Sequence, residues 1–178
     1  MVEHEYKPSL KLHWENAKSI VFYIIGLIAF PIYMIYRFGA EDIEIFIRYS
    51  IIGFSAFFIP QIILHCRYYY FNKQYVFYYY PHESKIKIRT STNDEVEFYL
   101  KDIKQVHYFK SFPLAEERMQ WFPWDNYSFA RIYLQNGKQF LITSLVVPNM
   151  KLPISESKVR LSKTFYAYPL KKERELKE

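Results

Sequence analysis

The chain has 178 residues, a hydrophobic fraction of 51% and a formal net charge of +6. That length accommodates one folded domain with an appendage rather than two full domains. The lone Cys66 excludes an internal disulfide and a cysteine-rich zinc site, and the four glycines, two of them inside apolar runs, leave no phosphate-cradling loop or nucleophile elbow.

Residues 1–18 are of mixed polarity and are expected to form a cytoplasmic tail. From Ser19 to Tyr36, SIVFYIIGLIAFPIYMIY, the only ionisable side chains are neutral tyrosines, and Lys18 and Arg37 bracket the run. At about 1.5 Å per residue such a helix approaches the ~30 Å of a bilayer hydrocarbon core. A second run, Tyr49 to Cys66, YSIIGFSAFFIPQIILHC, lies between Arg48 and Arg67. Its full extent is read as Ile45 to Leu64, with Arg48 snorkelling to the headgroups. The strand-like remainder is too short to enclose two helices that are apolar on every side, so residues 19–66 are predicted to be a transmembrane helical hairpin. A signal peptide is disfavoured because no small-residue cleavage pattern closes the first run. Gly26 with Ala29, and Ser50 with Gly53 and Ala56, place small side chains where the two helices approach. The connecting loop carries Glu41, Asp42 and Glu44, whereas Lys7, Lys11, Lys18, Arg67 and Lys73 lie on the other side. Both termini are therefore predicted inside, in a multi-pass protein of the cell (inner) membrane.

Past Cys66 the chain turns basic, and the whole surplus of Lys and Arg lies there. Tyr68 to Phe71 is expected to form a ring belt at the headgroup layer, and Gln74 to His82 a first strand. A base-stacking surface for nucleic acid is disfavoured, since Lys73 is the only cation between Arg67 and Lys85. In SKIKIRT, Ile86 and Ile88 oppose Lys85, Lys87 and Arg89; in EVEFYLKDI, Val96, Phe98 and Leu100 oppose the charged positions, giving two half-buried strands joined by STNDE. Asn136-Gly137 predicts a two-residue hairpin turn, with Ile132 opposite Leu141 and a shared face of Ile132, Leu141 and Leu145. Arg118 and Asp125, in the long connection KSFPLAEERMQWFPWDN, are expected to pair. No clear periodicity follows Pro148, and 171–178 reads as a solvated tail.

The order of a two-helix hairpin, KIKIR, YLKDIKQV, FPWDNY and RIYLQNGKQFLITSLVV resembles that of bacterial PH-like (pleckstrin-homology-type) membrane proteins, over nearly all of Ser19 to Val147. The resemblance implies an α+β chain: an N-terminal transmembrane helical hairpin followed by an antiparallel, PH-like β-sheet or barrel over residues 67–170. A PH domain ends in an amphipathic helix, but the stretch after Pro148, interrupted by Pro153 and Pro169, shows no helical stripe, so an incomplete barrel or an extended closing segment is expected. Relatives of the fold bind phosphoinositides through a basic pair on the second strand, and Lys87 and Arg89, with Lys73 and Lys85, resemble that arrangement. Glu95 and Glu97 across the hairpin compete for the same cations, which favours nonspecific attraction to anionic lipid.

Trp121, Phe122 and Trp124 form a candidate interface or partner-binding loop; the alternative is that Trp121 and Trp124 cap the open barrel end as core. The five histidines show no metal-ligand spacing, and no metal or cofactor is expected. The sequence thus predicts a non-enzymatic integral membrane protein that presents its PH-like domain to a protein partner or anionic headgroups. The competing readings are a lipid- or nucleotide-modifying enzyme at the membrane and an immunity or regulatory partner of another membrane protein.

Overall fold

The computed structural model describes residues 4–39, 41, 43–89, 95–150, 152 and 154–170. The order of elements is β1 (His4–Tyr6), α1 (Leu10–Ala17), α2 (Ser19–Phe38), α3 (Ile43–Asn72), β2 (Val76–Tyr80), β3 (Lys85–Arg89), β4 (Glu95–Tyr99), β5 (Ile103–Ser111), α4 (Phe112–Ala115), β6 (Ser128–Leu134), β7 (Gln139–Thr143) and β8 (Val159–Thr164).

The two apolar runs form α2 and α3, both long and apolar enough to cross a membrane. None of the residues of α2 is buried. The ring of Phe54 fills the notch at Gly26, where an added Cβ would lie 2.8 Å from its Cζ; beside Gly53 the space is open. The helices thus meet ring against glycine at Gly26, and Gly53 contributes no close approach.

Helix α3 runs well past the expected end at Leu64. Gln61, Leu64, Tyr68 and Asn72 recur at helical spacing and are all buried against the β-domain, so tertiary burial overrides the strand propensity of the tyrosines. The interfacial belt predicted for Tyr68 to Phe71 is corrected accordingly. Tyr68 is fully buried and donates to the Ala167 carbonyl at 2.6 Å, while Tyr69 and Tyr70 are exposed.

Within the stretch expected to be a tail, residues 4–17 contribute a strand and a helix. β1 pairs antiparallel with β2, and α1, capped by Ser9 accepting from the Leu12 amide, buries Leu12 and Asn16. The first sheet has the order β1-β2-β3-β4 and the second β7-β6-β5-β8. In the first, Ile86 faces Phe98 and Ile88 faces Val96, as the alternation predicted; the STNDE turn lies outside the described residues. In the second, β8 runs parallel to β5, so the C-terminal stretch that showed no periodicity supplies an extended strand and the sheets are not wholly antiparallel.

The sheets do not close into a barrel. They face each other across one core, in which Phe77, Ile86, Ile88 and Phe98 meet Val106, Ile132 and Ile142. Phe98 and Phe140 stack across it at 5.6 Å. The opposite face of β6 is buried as well: Phe129, with Leu145 and Tyr127, packs on Leu64 and Tyr68 of α3. The second half of α3 thereby covers the outer face of the second sheet.

The β6–β7 register differs from the prediction by one residue. Ile132 lies opposite Phe140 and Arg131 opposite Leu141. The Gln135 amide is bonded to the Asp102 carbonyl, while the Leu134 amide bonds Lys138 and the Gly137 amide bonds Leu134. Three residues therefore form the loop, and Gly137 alone takes the left-handed conformation, at φ 81°. The shift separates Ile132, in the core between the sheets, from Leu141 and Leu145 beside α3. Gly137→Ala is expected to lose roughly 1–2 kcal/mol, because a Cβ disfavours that conformation; a denaturant midpoint measured on the full chain in mild detergent checks it.

Candidate functional site

The segment between α4 and β6 is folded by one buried carboxylate. Asp125 Oδ2 accepts from the Trp121 and Phe122 amides at 3.0 and 2.9 Å, and Ser111 Oγ, which also caps α4, donates to the Asp125 carbonyl at 2.8 Å. Arg118 pairs with Glu116, and the pairing with Asp125 expected from sequence is not made. Glu116 also takes Lys163 at 2.9 Å; that hydrogen bond, then the charges of Arg118 and Lys163, holds its carboxyl below its usual range.

This arrangement splits the predicted loop in two. Phe122 and Trp124 stack at 5.0 Å and 6°. Both lie over Phe57 of α3, at 6.2 and 6.3 Å, and Phe165 meets both edge-on. Trp124 is buried. These two rings join sheet domain to hairpin, whereas Trp121 is 74% exposed and is not core. Its carbonyl accepts from the Tyr23 hydroxyl at 3.2 Å, and the neighbouring Pro123 carbonyl accepts from Ser19 Oγ, also at 3.2 Å. Between this loop, the start of α2 and α3 lies a cavity of about 480 Å³, lined by Lys18, Ser19, Phe22, Tyr23, Phe54 and Trp121 among others.

The four basic residues predicted to meet headgroups are only partly gathered. Lys85, Lys87 and Arg89 share β3. Lys85 pairs with Glu83 at 2.8 Å and Lys87 with Glu95 at 2.6 Å, and each has Glu97 at 3.7 Å. The hydrogen bonds to Glu83 and Glu95 raise the two ammonium pKa values, and the same bond lowers that of Glu83. Arg89 lies opposite Glu95 in the register and over the Tyr78 ring at 5.8 Å. Lys73 is exposed in the turn between α3 and β2.

One titratable chain crosses the domain junction: His13 and His65 are 2.9 Å apart through ring nitrogens, and His65 reaches the Tyr127 hydroxyl at 2.8 Å. Burial pushes the Tyr127 phenol far up, leaving it a proton donor. Among the described residues no three His, Cys, Asp or Glu side chains converge as metal ligands. Sequence reasoning missed this chain, and it missed Lys18, Gln120 and Asn126 as cavity residues; all are isolated polar positions with no local pattern, and only the meeting of α1, α2 and the 116–127 segment brings them together.

Two facing β-sheets, with one sheet's outer face closed by a helix that continues into an apolar hairpin, define a binding-type scaffold. The family model described as PH domain matches residues 4–153, and the chain belongs to that family. The match begins at β1 and runs through both apolar helices, so the hairpin lies within the matched unit. Comparison with curated proteins and with solved structures gives no match.

Proposed function

We propose that the chain is a membrane-anchored, non-enzymatic PH-domain module. Helices α2 and α3 cross the cell (inner) membrane as a hairpin with both termini in the cytoplasm, and the sheet domain offers a surface there to a protein partner or to anionic headgroups. The carrying observation is that α2 buries none of its residues, with Phe22, Ile25, Ile28 and Ile32 all more than half exposed, while the second half of α3 is locked into the domain core. A face of that size has no stable place in water.

Of the two predicted contact surfaces, the Trp121 loop is favoured over the β3 cations. Lys85 and Lys87 are each held by two carboxylates and Arg89 lies opposite Glu95, so an anionic headgroup has to displace those contacts, and Lys73, Lys85, Lys87 and Arg89 add weak, salt-sensitive attraction.

The test labels single cysteines in the full chain on a Cys66→Ser background. The full chain is required because Leu64, Tyr68 and Asn72 of α3 belong to the core of the sheet domain. With a membrane-impermeant maleimide, Glu41→Cys in the hairpin loop is expected to react in intact cells, and Lys138→Cys at the exposed β6–β7 tip only after permeabilisation. Equal reaction at both positions in intact cells, or recovery of the chain from the soluble fraction without detergent, overturns the reading.

A further inference from the structure

A second cavity, of about 290 Å³, lies beside the one already described and is polar where the first is apolar. It is lined by Glu15, Asn16, Ser128 and Ser144, and it shares Lys18, Gln120 and Asn126 with its neighbour. The two adjoin at these residues, so Lys18 borders an apolar and a polar compartment at once. In the polar part Asn16 and Ser144 satisfy each other at 2.6 Å and Asn16 also donates to the Leu12 carbonyl at 2.8 Å. Ser128 Oγ, by contrast, is buried and has no hydrogen-bond partner among the described residues. A buried hydroxyl left unpaired is costly and points to a polar group that reaches it. Lys11 pairs with Glu15 at 3.9 Å, whereas Lys18 has no carboxylate partner among the described residues.

The position of this space along the hairpin selects its occupant. The sheet domain bonds α2 at Ser19 and Tyr23 and packs on α3 from Phe57 onward. Beyond those contacts α2 extends from Ile24 to Phe38, which at about 1.5 Å per residue is ~22 Å, short of a hydrocarbon core of ~30 Å. To span it, the hairpin draws the adjoining edge of the domain into the bilayer boundary. Phe22 and Trp121, each 74% exposed, and Met119, 76% exposed, line the apolar cavity there. The apolar part then faces acyl chains, and the polar part, behind Lys18, faces the headgroup layer.

We propose that this space binds one glycerophospholipid drawn from the bilayer, with an acyl chain in the apolar cavity beside Phe22, Phe54 and Trp121. Its phosphate lies at Lys18, within reach of the Gln120 and Asn126 amides and the Ser128 hydroxyl. A phosphate offers several acceptor oxygens and so matches the Lys18 ammonium and its neutral donors, with Glu15, the carboxylate in the lining, paired to Lys11; a diacylglycerol leaves that set unused. The larger cavity alone falls in the ~300–1,000 Å³ range of small-molecule sites. The proposal rests on the bilayer reading above.

The experiment uses the full chain in nonionic detergent, titrated with short-chain phosphatidylglycerol, with the matching diacylglycerol and with inorganic phosphate, and read by native mass spectrometry. Bromination of the acyl chains adds a fluorescence readout at Trp121, isolated in a Trp14→Phe background by difference against Trp121→Phe. The expected result is saturable binding of one phospholipid with quenching of Trp121, at least tenfold weaker binding of diacylglycerol or phosphate alone, and a weakening of about tenfold in Lys18→Ala. Ser128→Ala is expected to weaken binding severalfold, while Lys138→Ala, at the exposed β6–β7 tip, leaves it unchanged. Equal affinity of Lys18→Ala and the parent, equal affinity for diacylglycerol, or quenching that never saturates overturns the proposal. If near-UV circular dichroism shows Lys18→Ala unfolded, Lys18→Gln is read by the same criteria. The micellar titration needs no bilayer orientation, so failure of cysteine labelling with binding retained removes the bilayer reading, and the reverse removes only this site.

Discussion

Trp124→Ala is expected to cost ~3–5 kcal/mol and to loosen the sheet domain from the hairpin, whereas Trp121→Ala, three residues earlier, changes stability by less than about 0.5 kcal/mol. The difference follows from surroundings. Trp124 is buried in the cluster of Leu64, Tyr68, Tyr127, Phe129 and Leu145, stacked on Phe122 and bounded by Phe57, Phe165 and Tyr166. These neighbours belong to α3, to the loop and to the C-terminal segment, so no single element can collapse into the space an alanine leaves. Trp121 contributes mainly its backbone to the fold, through the amide held by Asp125 and the carbonyl held by Tyr23, and both survive truncation of its ring. Denaturant unfolding of the full chain in mild detergent, with hydrogen exchange of α3 as the local readout, measures both effects. Similar destabilisation by the two substitutions would show that the two tryptophans do not divide the roles described.

Asn72→Leu is the second large effect, expected at about 2–4 kcal/mol from one buried amide and one partly buried carbonyl left unpaired. Strand β7 is the edge of the second sheet, and an edge leaves amides and carbonyls without a neighbouring strand. Asn72 stands in for that strand: its Oδ1 accepts from the Thr143 amide at 2.8 Å and its Nδ2 donates to the Leu141 carbonyl at 3.1 Å. Fully buried at the end of α3, it fixes the helix against the sheet in one register. Leucine has the same number of side-chain heavy atoms and the same branching, with bulkier methyl ends and neither hydrogen-bonding group, so the substitution removes both hydrogen bonds without opening a cavity. The checks are the unfolding midpoint and the exchange rate of the Thr143 amide, which is expected to rise with the loss of its acceptor; an unchanged rate would place the protection elsewhere.

Both residues show how far the local pattern reaches. Asn72 closes what looked like a belt of rings, and nothing near it in the chain announces a partner on β7. Trp124 and Trp121 are nearly adjacent and of one type, and sequence reasoning weighed them together as interface or as core. The structure buries Trp124 and leaves Trp121 exposed, because Phe57 and Phe165 cover the first and not the second.

What the sequence determined by itself was the set of features whose physics is local. Two unbroken apolar runs make two helices, since a helix satisfies its backbone internally whatever surrounds it. The alternation in SKIKIRT and EVEFYL makes one hairpin with Ile86 and Phe98 on one face and Lys87 and Glu97 on the other, since a strand's period is two. Only the tertiary structure decided the rest: β1, three residues long, and β8, without a sustained alternation, the extension of α3 to Asn72, the register at Gly137, set by the bond from Gln135 to Asp102, and the space around Lys18. Each of these depends on a partner distant along the chain, and a residue's burial against such a partner is a property of the assembled layers that no run of neighbouring letters contains.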